Sequence, residues 1–289
     1  MASTVDKKEI KEDSHKSEIS DKKETCVYNK NEKKTSPKAV NGLEKANLER
    51  RVPRVNCKER IVFIVDLCKE ENSTLFHLSE GSSYTYLYII KRVLALFLFN
   101  KKAINPLHTF SLVILQETPV WVRYVDFTSN PKDILNKLES LEEMSSSSSS
   151  FDLSELFGLI KSRITLPSES SDLTVTPPPY IIRAIFIYGR SLCVPQFLNG
   201  KESYSELMTS PYFFLDILYV HEPPDDSTKC EGIFDLLCDL DSTGWNYILE
   251  VGRNATKLHN LGSILLAHPL QRPSQKDAHH TLATKEAAS

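Results

Sequence analysis

Asp66 closes an uninterrupted apolar run, Ile61-Val62-Phe63-Ile64-Val65. A short run rich in β-branched and aromatic residues, with no polar alternation, reads as a parallel strand buried on both faces. Its carboxylate then stands at the strand's C-terminal end, where open α/β sheets bind their ligands. Two other reactive residues follow later apolar runs near the same edge, Cys193 and His221. A thiol activated by an imidazole is a nucleophile, so this pair defines one candidate enzyme. A lone Cys and His in loops are more often structural. His77, His108 and His259 stand singly and read as surface or internally satisfied residues. The sequence holds no G-x-G-x-x-G, no G-x-x-x-x-G-K-[ST] and no G-x-S-x-G. The common nucleotide and hydrolase motifs of α/β sheets are therefore absent.

The elements that must position these residues alternate. Arg60–Asp66 is a first strand. Tyr84–Phe99 is a helix, with Leu87, Ile90, Leu94 and Leu98 at helical spacing. The apolar runs 109–115 and 120–125 are joined by four residues. That link permits only antiparallel pairing, because a parallel return needs a crossover of about a dozen residues. Asn130-Pro131 opens a helix to Leu141, with the proline where a missing N–H costs nothing. The serine run 145–150 reads as a flexible loop before a helix over 152–162. Tyr180–Tyr188 and Tyr212–Val220 are two more buried strands, with a short helix around 204–208 between them. Helix 230–240, strand 246–251 and helix 256–266 complete the order. The prediction is a doubly wound, mostly parallel α/β sheet with one antiparallel edge strand and helices on both faces.

Residues 1–53 are Lys, Glu, Ser, Asp and Asn with scattered apolars, a composition that cannot offset chain entropy, and read as a disordered arm. The folded domain is expected over 54–266, followed by a tail over 267–289. The 289 residues carry a net charge of −3 and are 40% hydrophobic. That balance gives no electrostatic footprint for direct nucleic-acid or membrane binding. The six cysteines, at 26, 57, 68, 193, 230 and 238, form no CxxC pair and read as reduced thiols. No signal peptide and no run of about 20 apolar residues is visible, so cytoplasm and nucleus are the expected compartments.

With a central strand ending in Asp, this order resembles a von Willebrand factor A domain. That fold commonly binds Mg²⁺ through Asp-x-Ser-x-Ser after the first strand, a later Thr, and an Asp after the fourth strand. Here the first motif reads Asp66-Leu67-Cys68-Lys69-Glu70, and Gly189-Arg190 stands where the later Asp belongs. Mg²⁺ demands hard oxygen ligands in octahedral array, and a guanidinium repels it. Asp66, Cys68, Glu70, Gly189 and Arg190 are thus expected to form a degenerate site without metal or other cofactor. An intact site would have made the chain a metal-dependent adhesion or ligand-binding module.

Several segments resemble a narrower family. They are Pro53-Arg54-Val55-Asn56-Cys57, Pro177-Pro178-Pro179-Tyr180 followed by Arg183, Pro195-Gln196-Phe197, Pro211-Tyr212-Phe213-Phe214, and above all Leu266-Ala267-His268-Pro269-Leu270-Gln271-Arg272-Pro273. They are similar to the von Willebrand A-like scaffold subunit shared by the BRISC deubiquitinase complex and the breast-cancer-protein A complex. The resemblance implies a non-catalytic subunit of an assembly whose zinc metallopeptidase cleaves polyubiquitin of the lysine-sixty-three type. It also implies direct contact with a ubiquitin-conjugating-enzyme-like subunit, the brain and reproductive organ-expressed protein, and indirect contact with the metallopeptidase and its pseudo-enzyme scaffold. Roles in ubiquitin signalling, the DNA damage response and cell division follow from the same resemblance. The docking peptide maps onto His268, Pro269, Leu270, Gln271, Arg272 and Pro273. Two prolines favour an extended segment in which Leu270 and Arg272, two apart, enter one groove of the partner.

Overall fold

The computed structural model describes residues 52–278, apart from 72, 169–172, 174, 226 and 242. The expected arm up to Arg51 and the tail from 279 onward lie outside the described residues. Six strands build the main sheet: β1 (Lys58–Asp66), β2 (Thr109–Leu115), β3 (Pro119–Trp121), β4 (Tyr180–Tyr188), β5 (Phe213–Val220) and β6 (Ile248–Val251). Their spatial order is β6-β5-β4-β1-β2-β3, all neighbours parallel except β2 and β3. The short link after Leu115 pairs Val113 with Trp121 and Leu115 with Pro119, as the antiparallel expectation required. The third strand ends at Trp121, earlier than expected, because the chain turns through Tyr124 and Phe127 at positive φ.

Strand alternation sends side chains into two cores. Ile61, Phe63 and Val65 join Ile185, Ile187, Leu218 and Val220 on one face. That face is covered by α1 (Tyr86–Ile104), α2 (Pro131–Glu139) and α6 (Ala255–Ile264). Val62 and Ile64 join Ala184, Phe186, Leu215 and Ile217 on the other, beneath α3 (Leu153–Arg163), α4 (Glu202–Thr209) and α5 (Cys230–Cys238). Four of these six helices start where short polar side chains cap them: Thr85, Asn130, Asp152 and Asn254 each accept a backbone N–H of the first turn.

Two expectations are corrected. The serine stretch is not a plain loop: Met144–Ser145 pairs with Cys68–Lys69, and Ser150–Asp152 with Val194–Gln196. Both ladders tie it to the C-terminal edge of the sheet. The domain also does not stop at 266 or begin at 54. Val52 is buried, and with Leu270 it forms a third cluster around Ile181, Tyr212 and Phe214. Segment 267–278 packs beneath the sheet, where Gln275 bonds both backbone groups of Ile248 on the outer edge of β6. Among the described residues no helix is long and apolar enough to cross a membrane.

Candidate functional site

At the C-terminal edge, Asp66 is held by the chain itself. Arg190 Nε lies 3.1 Å from both its carboxylate oxygens and Nη2 3.0 Å from Oδ1. The backbone N–H groups of Gly189 and Cys68 also donate to it, each at 3.1 Å. Arg190 is fully buried, donates on to the Gln116 carbonyl, and stacks on Phe151. Its guanidinium thus takes the place from which a divalent cation would address Asp66. Glu70 is equally engaged, accepting the N–H groups of Ser191, Leu192 and Cys193 at 2.7–2.9 Å. The hydroxyls of Ser146 and Ser148 turn to Glu117. Burial, with Asp66 nearby, pushes the Cys68 thiol up to about 12. Among the described residues no group of three or more His, Cys, Asp or Glu is arranged to hold a metal ion.

Gly189 is needed for a different reason than a turn. A Cβ there would lie 2.7 Å from Cζ of Tyr86, so the Tyr86 ring packs against the backbone just past β4 because the side chain is missing. Calorimetric titration with Mg²⁺ is expected to be flat, since an entering cation must expel Arg190 from a buried carboxylate. Saturable binding that vanishes in Asp66→Ala would contradict this geometry.

The candidate nucleophile pair is not assembled. Cys193 is fully buried with its sulfur 3.5 Å from Arg190 Nη1, and burial raises its pKa. His221 Nδ1 lies 2.7 Å from the Glu222 carbonyl. No described hydrogen bond joins the two.

The opposite, N-terminal half of the sheet holds a cluster that the reading of single motifs did not assemble. Glu59, Arg183 and Asp216 lie on adjacent strands, all facing the α1 side, and all are fully buried. Arg183 Nε donates to Asp216 at 2.7 Å and its Nη1 to Glu59 at 3.2 Å. Lys101, on the inner face of α1, pairs with Glu59. Arg272 reaches in from the C-terminal segment, bonding Asp216 through Nη1 at 2.9 Å and through Nη2. It also stacks on Tyr247, its guanidinium carbon 3.9 Å from the ring centre. Despite its burial, Asp216 is pulled down to about 2, chiefly by Arg272 and Arg183.

The six residues expected to form a docking peptide are therefore placed otherwise. Gln271 and Arg272 donate their N–H groups to the His268 carbonyl, so the segment is a turn and not an extended strand. Leu270 is 0% exposed and Arg272 3%, and they enter this domain's own core instead of a partner's groove. His268 and Pro269 are buried as well, and only Gln271 and Pro273 are exposed.

Two imidazoles complete the cluster. His108 Nδ1 accepts the N–H of Glu59 at 2.9 Å, and His268 Nδ1 that of Leu270 at 3.1 Å. A second ring proton would break each bond. Burial pushes both down to about 4. Below the ordinary value of 6.5 the unfolded chain gains these protons and the folded chain does not, so stability must fall as pH drops from about 6.5 to about 4. Urea unfolding at pH 7, 6 and 5 is expected to lose about 2 kcal/mol per histidine by pH 5. Stability unchanged over that range would contradict the neutral, buried assignment.

A sheet of order 3-2-1-4-5-6 with its third strand antiparallel, helices on both faces and its C-terminal edge closed by an internal ion pair is the doubly wound α/β fold expected of a von Willebrand A-like domain. No family model matches the chain. Proteins named BRISC and BRCA1-A complex member 1 are similar to it. The one from Rattus norvegicus is 34% identical over 241 residues, spanning 82% of this chain and 70% of its own length. The Homo sapiens protein gives 34% over 241 residues, 82% and 71%. That from Danio rerio gives 33% over 246 residues, 83% and 65%. The chain belongs to the BRISC and BRCA1-A complex member 1 family. Among solved structures, the SpRpn10 VWA domain is 10% identical with a TM-score of 0.46, over 78% of this chain and all of that one. A von Willebrand factor type A protein from Catenulispora acidiphila is 14% identical with a TM-score of 0.43, over 74% of this chain and 43% of that one.

Proposed function

We propose that this chain is a non-catalytic scaffold subunit of a BRISC-type deubiquitinase complex that cleaves lysine-sixty-three-type polyubiquitin. In this reading it acts in the cytoplasm and nucleus, in ubiquitin signalling that includes the DNA damage response and cell division. The observation that carries the reading is Arg190 seated on Asp66. In a member of this family, that ion pair converts the edge where an α/β sheet would bind a ligand into internal structure. What remains for function is surface. The direct partner is a ubiquitin-conjugating-enzyme-like subunit, with the metallopeptidase and its pseudo-enzyme scaffold held at one remove. The C-terminal turn takes part through Gln271 and Pro273, its exposed residues, while Leu270 and Arg272 hold it in shape from inside.

Purifying the tagged chain from its own cells is the test. A zinc metallopeptidase and a ubiquitin-conjugating-like subunit are expected together in stoichiometric amounts. A chain that elutes alone, or with neither of them, removes the reading.

A further inference from the structure

Helix α1 is apolar on more sides than the domain uses. Leu87, Ile90, Val93, Leu94, Phe97 and Leu98 are buried against the sheet. At about 100° per residue, Tyr88, Arg92, Ala95, Leu96, Phe99 and Ala103 share an arc of about 100° on the opposite side. Of these, Leu96 is 55% and Phe99 51% exposed. Ile104 at the helix end and Leu107 just after it are exposed as well. A helix that is hydrophobic all round is normally covered on every side, and a contiguous exposed apolar stripe marks an interaction surface.

The charges on this helix say what covers it. Its 19 residues include four cations, Lys91, Arg92, Lys101 and Lys102, and no Asp or Glu. Lys101 is spent on Glu59 inside the core. Lys91 and Lys102 donate to carbonyl oxygens. Among the described residues Arg92 meets Tyr88, through its hydroxyl and ring. Arg92 and Lys102 thus stand beside the stripe without a carboxylate partner among the described residues. A second copy of the chain would set these cations against each other, which argues against a homodimer here.

We propose that the outer face of α1 is a docking surface for an amphipathic helix of another subunit, with an apolar stripe flanked by Asp and Glu. This rests on the reading of the chain as a complex subunit and adds where and by what chemistry a neighbour is held. Leu96, Phe99 and Ala103, three and four apart, form a seam of the kind a packed helix fills. The flanking carboxylates then answer Arg92 and Lys102.

The test is a photo-crosslink. The full-length tagged chain, with benzoylphenylalanine in place of Phe99, is expressed in its own cells, irradiated, and purified with its complex. The expected product joins position 99 to a helix of another subunit that carries carboxylates beside apolar residues. In parallel, Leu96→Lys with Phe99→Lys should weaken that contact about a hundredfold while the melt of the free chain stays as in wild type, since both side chains are more than half exposed. Crosslinks confined to this chain's own residues, to a second copy, or to a surface lacking carboxylates would overturn the proposal. So would a Lys double variant that assembles as wild type. If the unmodified chain brings down no complex, the scaffold reading falls with it. If the complex is intact and position 99 stays uncrosslinked, only the α1 surface falls.

Discussion

Asp216→Ala is expected to leave the domain largely unfolded at physiological temperature. The carboxylate takes Arg183 through Nε at 2.7 Å and Nη2 at 2.6 Å, takes both terminal nitrogens of Arg272, and accepts the Tyr247 N–H at 2.8 Å. Alanine strands two guanidiniums where neither meets water. Removing one partner of a buried ion pair costs about 3–5 kcal/mol, against a total stability of about 5–15 kcal/mol for a domain. Asp216→Asn keeps an acceptor for Tyr247 and loses the charge, so it should be destabilised nearly as much. Circular dichroism melts of both variants check this. A melt within a few degrees of wild type would mean that the cluster is not what holds the lower half of the sheet.

The second large effect is expected for Leu270→Ala with Arg272→Ala, and it reverses what a docking tail would do. Leu270 lies among Val52, Ile181, Tyr212 and Phe214, and truncating a fully buried leucine costs about 2–5 kcal/mol. Arg272 anchors the same turn to Asp216, to the Trp245 carbonyl at 3.0 Å, and to the Tyr247 ring. The two losses share one segment and will not add simply, yet either is a large part of the total. The double variant should melt far below wild type, and any loss of partner binding in it would report unfolding. Gln271→Ala, at an exposed position, should melt as wild type. A double variant with an unchanged melt would return the segment to the role of a free tail.

The contrast shows which physics the chain displays openly. Strands such as Ile61–Val65 and Phe213–Val220 are legible because burial on both faces demands unbroken apolar runs, and the helices because their stripes repeat at helical spacing. At the C-terminal edge the residue types were legible, Cys68 and Arg190 being poor chemistry for Mg²⁺ wherever they point, but the pairing of Arg190 with Asp66 across 124 residues was not. Nor was the lower cluster. Arg183 and Asp216 are visible as charges inside apolar strands, but Glu59 and Arg183 are 124 residues apart and Asp216 and Arg272 are 56 apart. The strand order brings Glu59, Arg183 and Asp216 together, and the turn after the last helix brings in Arg272. The C-terminal turn was misread because its two prolines suggest extension, whereas the bonds to the His268 carbonyl fold it back.

The measurement that bears most directly on the scaffold reading is reconstitution. The metallopeptidase assembly is purified with and without this chain, and cleavage of lysine-sixty-three-linked ubiquitin chains is followed together with the thermal stability of the assembly. The account predicts that the isolated chain cleaves nothing, and that adding it stabilises the assembly and raises its activity. Cleavage by the chain alone, or an assembly whose stability and activity are the same without it, would contradict the account.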